Sequence, residues 1–312
     1  MERFNYIIGF GDFVNQSALF EGGAAIKKSR RIREDEVPLT LEFIYNNLLP
    51  SIGVEKDDTV LIGSIGKKED PSDTSGDIDL GISSEALSKS LGTQNNIKEI
   101  SAALNQKVVS ELPFGLTDSP DVNFLKGLNI VSLGWPIGGD FSNGIVQLDL
   151  IPISDMDWAN FIYYSPDYRK KESKYKSAHR NWLFSAILDA RKDPKSFDQS
   201  GEVIEYETPV LVLSDGLYKY TKSFKGKTKD RLSKASKIPG SETFITNDPE
   251  KFIEITMGKR YPVEKVKTFE DVFSIINSPD FDLYDNLDQI KEKYLEFIQR
   301  TGLEIPKEIK KS

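Results

Sequence analysis

Hydrophobic residues in the first half of the chain follow two different spacings. Short runs of β-branched and leucyl residues predict β-strands, and apolar residues three or four apart predict amphipathic helices. The predicted helices are 37–49, 84–91 and 96–108. The predicted strands are 59–62, a segment that begins at Asp77, 129–133 and 144–153. This alternation predicts an α/β (α+β) fold, in which a mixed sheet has flanking helices.

The second half has a different pattern. Its strands are predicted at 202–206, 210–213 and 217–224, and a lysine-rich loop, expected to be mobile, follows at 225–237. Its helices are predicted at 174–191, after the cap that precedes Pro249, after Thr268, and at 286–300. We therefore predict two domains, 1–155 and 156–312, of which the second is mainly helical with a small antiparallel sheet.

Three aspartates lie in segments that otherwise have the pattern of strands. Asp77 and Asp79 are two residues apart, so their side chains share one face of a strand. Asp149 interrupts an apolar run, and its neighbours do not explain a carboxylate there. Unpaired buried carboxylates are costly, so acids on the core side of a sheet are usually paired or bind a cation. The alternative for Asp77 and Asp79 alone is a solvated strand face beside a hairpin turn.

The strand at 59–62 ends in Gly63 and Ser64, and about a dozen residues then lead to Asp77. The chain over roughly 59–153 resembles the DNA polymerase β superfamily of nucleotidyltransferases. The shared order is apolar-Gly-Ser, then Asp-apolar-Asp-apolar, then a later apolar-Asp-apolar strand. The resemblance implies a nucleotidyltransferase-type sheet in which Gly63 and Ser64 hold a triphosphate. It also implies two Mg²⁺ ions, replaceable by Mn²⁺, with Asp77 and Asp79 binding both. Asp149 would be the third metal-binding acid and would help to activate the acceptor hydroxyl.

The same resemblance suggests further phosphate contacts. In the superfamily, a helix after the third acid commonly supplies Lys, Ser or Tyr to the phosphates, and Lys174, Tyr175 and Ser177 match by position and residue type. The alternative is a solvated helix face. Lys67, in the loop after Ser64, could also touch the nucleotide. The single histidine, His179, is expected to pack or to face solvent.

The N-terminal context carries a second resemblance. Gly22-Gly23 is followed by Arg31, Arg33 and Glu34, and then by a helix start at Val37-Pro38. This order is similar to uncharacterised nucleotidyltransferases carried by some bacteriophages. It implies nothing about the acceptor.

Composition limits the kind of metal site and the cellular location that we expect. The 312 residues include no cysteine and one histidine, which excludes disulfides and disfavours zinc, so a bound metal would have oxygen ligands. No apolar run approaches the ~18 to 20 residues of a membrane span, and the start lacks a signal-peptide pattern. We therefore expect a cytoplasmic protein with no membrane partner, in the host cytoplasm if a virus encodes it.

These observations lead to one expected reaction, with more than one candidate for the acceptor. We expect a magnesium-dependent nucleotidyltransferase that moves a nucleoside monophosphate from an NTP, such as ATP, to a hydroxyl and releases pyrophosphate. Two basic segments, 169–180 and 222–237, favour an RNA or tRNA 3′ end, whereas the net charge of −8 fits a small molecule or a protein hydroxyl. The nonenzymatic alternative is a nucleotide-binding or virion-associated module.

Overall fold

The computed structural model describes residues 25–94, 96–111, 122–125, 129–197, 199, 203–213, 215–224 and 235–310. Gly22-Gly23 and residues 225–234 of the predicted loop lie outside the described residues. The protein is a mixed α/β structure with several sheets. The chain divides into two compact units, Met1–Ser177 and Ala178–Ser312. Residues 156–177, which the sequence analysis assigned to the second domain, belong to the first of these units.

The first unit contains a five-stranded mixed sheet. Its strand order is β2-β4-β7-β6-β5, and β4 and β7 are parallel while the other neighbours are antiparallel. A separate pair joins β1 to β3. The strands are β1 (Ile32–Arg33), β2 (Thr59–Ile62), β3 (Thr74–Ser75), β4 (Asp77–Ser83), β5 (Val122–Leu125), β6 (Ile130–Pro136) and β7 (Ile145–Ile153).

Three helices of this unit overlap predicted segments: α1 (Val37–Phe43), α2 (Ser84–Leu91) and α3 (Ile97–Glu111). A fourth helix, α4 (Met156–Ile162), was not predicted. The helix α1 continues as a π-helical segment, Ile44–Leu48, and a last α-helical turn, Leu49–Ser51. Local capping sets the bounds of α2, because the Ser83 hydroxyl accepts from the Ala86 N–H and Gly92 ends the helix at φ 64°.

The two faces of the sheet have different roles. On β4 and β7, the residues Ile78, Leu80, Leu148 and Leu150 are fully buried in the main core, which also includes residues of α1, α2 and α3. Alternation along the strands therefore places the intervening residues on the opposite face. We call this the acid face, and on β4 and β7 it carries Asp77, Asp79, Gly81, Gln147, Asp149, Ile151 and Ile153.

The second unit contains an antiparallel sheet and helices. The strand order is β11-β10-β9-β8, and β12 also pairs with β10. The strands are β8 (Asp193–Phe197), β9 (Val203–Val212), β10 (Gly216–Phe224), β11 (Ala235–Lys237) and β12 (Thr243–Thr246). The helices are α5 (Ser177–Ala190), whose first residue belongs to the first unit, α6 (Pro249–Met257), α7 (Phe269–Ile276), α8 (Leu287–Thr301) and α9 (Lys307–Lys310).

The structure corrects three predicted boundaries in the second half. The helix predicted from residue 174 begins at Ser177, so Lys174 and Tyr175 precede it. The two strands predicted at 202–206 and 210–213 form the single strand β9. Residues 235–237, predicted to be loop, form β11. Among the described residues, no helix is long and apolar enough to cross a membrane.

Candidate metal centre

Strand pairing brings the three predicted acids together. The parallel register of β4 and β7 places Asp79 opposite Asp149 and Asp77 opposite Gln147. On the other edge of β4, Asp79 pairs with Ile62, the last residue of β2. One carboxylate oxygen from each of Asp77, Asp79 and Asp149 lies within 4.8 Å of the other two. The cluster could therefore hold a metal ion.

Burial raises the pKa of two of the three carboxylates, those of Asp79 and Asp149. Burial, and then the charges of Asp77 and Asp149, raise the pKa of Asp79 well above its usual range. Burial also raises the pKa of Asp149 to about 6. Hydrogen bonds from Ser132 and Gln147 oppose this rise, and the charge of Asp77 adds to it. The Oδ1 atom of Asp79 is buried without a hydrogen-bond partner. A buried carboxylate oxygen without a donor, among like charges, is the environment that a cation would compensate.

The chemistry of this donor set fits hard cations. Carboxylate oxygens are the ligands that Mg²⁺ and Mn²⁺ prefer, and neither thiolate nor imidazole contributes to the cluster. The residues present therefore fit the metal that the sequence predicted.

Gly63 lies directly against the acid cluster. The chain leaves β2 at this residue with φ 79°, a conformation that favours glycine. A Cβ atom on Gly63 would lie 3.3 Å from Oδ2 of Asp79. Ser64 is half-buried in the same turn, where its carbonyl accepts from the Lys67 N–H at 3.2 Å. The distance from Gly63 places its backbone beside the Asp79 carboxylate.

Lys67 is held by the segment that follows α4. Its Nζ donates to the Ser165 carbonyl at 3.1 Å and lies 5.8 Å from the centre of the Tyr164 ring. Burial lowers the pKa of Lys67, and the nearby Asp167 and Glu172 partly oppose this effect. An ammonium has three donors, so the bond to Ser165 leaves capacity for a second partner. Contact between Lys67 and a nucleotide remains a prediction.

Lys174, Tyr175 and Ser177 occupy different local structures. The Tyr175 N–H donates to the Ser173 hydroxyl at 2.9 Å, within the loop before α5. Lys174 is exposed in the same loop, whereas Ser177 is the first residue of the helix. The predicted placement of all three on one helix is therefore wrong. A side chain that binds a nearby backbone N–H competes with helix formation, which explains the later start.

His179 belongs to the interior of the second unit. It is 4% exposed, its Nδ1 lies 2.6 Å from the Tyr294 hydroxyl, and its ring packs edge-on against Phe269. This is the packing role that the sequence analysis allowed for.

The sequence analysis missed two residues near the acids. Gln147 donates from Nε2 to both carboxylate oxygens of Asp149, at 3.0 Å each. The phenol of Tyr163, directly after α4, is buried, and burial and the charge of Asp79 raise its pKa. The only signal for Gln147 was a polar residue two positions before Asp149 in an apolar strand. Tyr163 had no signal, because the segment around it is rich in aromatic residues.

An apolar wall borders the acids on the same face. A small apolar cluster includes Ile62, Ile151 and Ile153, together with Ile130 of β6 and Ala159 of α4. Tyr163 packs against this cluster. This side of the acid face is therefore apolar.

Comparison of the chain with protein-family models, with curated proteins and with solved structures found no match.

Proposed function

We propose that the protein is a magnesium-dependent nucleotidyltransferase. The observation that carries the proposal is the acid cluster on β4 and β7, in which carboxylate oxygens lie within 4.8 Å and one buried oxygen of Asp79 has no donor. The turn at Gly63 and Ser64, beside Asp79, supports it. This combination is what the resemblance to the DNA polymerase β superfamily leads one to expect.

The residues would share the work as follows. Asp77, Asp79 and Asp149 would hold the cations. Bound divalent cations would lower the pKa of the acceptor hydroxyl and neutralise the charge of the triphosphate and of the leaving group. Gly63, which lacks a side chain, would let a phosphate approach the backbone, and the Ser64 hydroxyl would donate to a phosphate oxygen.

In the transfer, one bond to phosphorus forms and one breaks. The acceptor oxygen forms a bond to the α-phosphorus, the bond from that phosphorus to the bridging oxygen breaks, and pyrophosphate leaves. Asp149 would orient the acceptor hydroxyl and take part in removing its proton. The apolar wall formed by Ile62, Ile151 and Ile153 would limit hydrolysis of the nucleotide from that side.

An RNA 3′ hydroxyl is the acceptor that we favour. Arg169, Lys170, Lys171, Lys174 and Lys176 are all exposed in the loop between α4 and α5. Arg169 and Lys170 also pair with Asp167, at 2.9 and 3.6 Å. Such a surface could bind a phosphate backbone locally in spite of the acidic total charge.

The test is transfer of labelled nucleotide. The protein is incubated with each α-labelled NTP, Mg²⁺ and total RNA, and we expect label in RNA. The variant Asp149→Asn should lose transfer but keep much of its nucleotide binding, and the same substitution at the exposed Asp57 should have no effect. Label on protein or on a small molecule would refute the RNA acceptor, and no label in any fraction would refute nucleotidyl transfer.

Salt dependence provides a second check on the acceptor. If the exposed basic segment binds the RNA backbone, the affinity for RNA should fall steeply as the salt concentration rises. Replacing Lys171, Lys174 and Lys176 by Gln should make this dependence shallower. A slope unchanged by the substitutions would contradict the assigned surface.

A further inference from the structure

Gln147 makes a set of hydrogen bonds that single it out among the residues of the acid face. It is 3% exposed and stands two positions before Asp149 on β7. Its amide nitrogen lies 3.0 Å from Oδ1 and 3.0 Å from Oδ2 of Asp149. Both oxygens of one predicted metal ligand therefore have the same donor.

The orientation of this amide is fixed by the backbone on its other side. The Oε1 atom of Gln147 accepts from the N–H of Ala25 at 3.0 Å and from the N–H of Ile26 at 3.2 Å. Backbone N–H groups can only donate, so the amide oxygen must face them and the nitrogen must face Asp149. The opposite orientation would bring two oxygens against each other and leave buried donors without acceptors.

A glycine on the neighbouring strand leaves space for the backbone of Ala25 and Ile26 beside Gln147. Gly134 of β6 pairs with Gln147 in the sheet. A Cβ on Gly134 would lie 3.4 Å from Cγ2 of Ile26 and 2.9 Å from Cδ1 of Ile145. Glycine at this position therefore leaves the space in which Ile26, itself 1% exposed, packs over the sheet.

We propose that Gln147 is a positioning residue that holds the Asp149 carboxylate in one orientation for cation binding. A carboxylate has about four lone-pair directions, and Gln147 uses one on each oxygen, which leaves the others for a cation. The backbone of Ala25 and Ile26 holds the amide, and the amide holds the acid. This inference rests on the proposed function only in so far as Asp149 binds a metal.

The first test measures metal affinity in the absence of any nucleotide. Mn²⁺ binding to the full chain is followed by the electron paramagnetic resonance signal of the free ion. In Gln147→Met, which keeps the length of the side chain and lacks the amide, we expect the Kd for Mn²⁺ to rise about 10- to 100-fold, as is typical when the partner of a metal ligand is removed. Gln147→Asn keeps an amide but is one methylene shorter, so it should show a similar rise.

Thr40→Val is the matched control for lost stability. Thr40 is fully buried in the same unit, and its hydroxyl donates to the Glu36 carbonyl at 2.8 Å and accepts from the Gly138 N–H at 2.9 Å. This variant should lower the thermal midpoint but leave the Kd for Mn²⁺ within about twofold, since it does not alter a partner of the acids. An equal loss of affinity in Thr40→Val would overturn the positioning role.

The second test separates this inference from the proposed function. In a transfer assay, Gln147→Met should lower kcat about 10- to 100-fold with little change in the KM for the nucleotide. If Gln147→Met weakens Mn²⁺ binding but the wild type transfers no nucleotide to any acceptor, the positioning role stands and the proposed function fails. If the wild type transfers nucleotide and both Gln147 variants bind Mn²⁺ as tightly as it does, the positioning role fails alone.

Discussion

The buried charge of Asp149 should make the metal-free protein less stable as the pH rises. Its pKa is about 6 in the folded protein and 3.8 in the unfolded reference. The folded state therefore keeps a proton over a pH range in which the unfolded state has lost it. The contribution of Asp149 to the free energy of unfolding is greatest below about pH 4, and it is lost as the pH rises to about 6.

The size of this loss of stability follows from the shift in the pKa of Asp149. A rise of about 2 pKa units at 1.36 kcal/mol each corresponds to about 3 kcal/mol between the two ends of this range. Asp149→Asn removes this titration, and it also lowers the pKa of Asp79, which the charge of Asp149 raises. The stability of the variant minus that of the wild type should therefore increase by about 2 to 3 kcal/mol from pH 4 to pH 7. Any constant cost of the asparagine itself cancels in this comparison.

The assay is urea unfolding of both proteins in a chelator, at several values of pH between 4 and 8. The same substitution at the exposed Asp57 is the matched control. Excess Mn²⁺ should then stabilise the wild type at pH 7, by about 2.7 kcal/mol at a hundred times its Kd, and should stabilise Asp149→Asn much less. A pH-independent difference between Asp149→Asn and the wild type would refute the reasoning.

Three further predictions concern glycines and a helix cap. Gly63→Ala and Gly66→Ala should each lower the free energy of unfolding by about 1 to 2 kcal/mol because both residues have positive φ. Only Gly63→Ala should weaken Mn²⁺ binding, because a Cβ at Gly66 would meet nothing within 4 Å. Gly81→Ala would place its Cβ 2.1 Å from Cδ1 of Ile153 and should cost about 1 to 3 kcal/mol in urea unfolding, and adding Ile153→Val, which removes Cδ1, should recover part of this. Thr268→Ala removes the capping box of α7 and should cost about 1 kcal/mol with no change in Mn²⁺ affinity.

Features with a local cause could be predicted from the sequence. The bounds of α2 were predicted correctly because Ser83 and Gly92 define both ends. The starts of α6 and α7 were predicted for the same reason, since Asp248 and Thr268 cap them. Asp77 and Asp79 could be predicted to share a face because side chains alternate along a strand with a period of two. The place of Asp149 beside them was predicted only from the family resemblance.

Features that depend on distant partners could not be predicted. Residues 207–209, which separate the two predicted strands, lie within β9. The strand β8 pairs with β9 only up to Glu207, so the missing N–H of Pro209 leaves no β8 ladder bond unmade. The orientation of the Gln147 amide depends on Ala25 and Ile26, more than 120 positions away. The π-helical segment at Ile44–Leu48 has no marker in the residues themselves.

The alternation of faces along β4 and β7 restricts how this sequence can change in length. Inserting or deleting one residue inside either strand would exchange the two faces beyond that point. Carboxylates would then enter the hydrophobic core, and leucines would take their place on the acid face. Changes in length should be tolerated better at the exposed residues 69–73, which precede β3, than inside either strand. Deletion of the residue between Asp77 and Asp79 should abolish both the site and the fold.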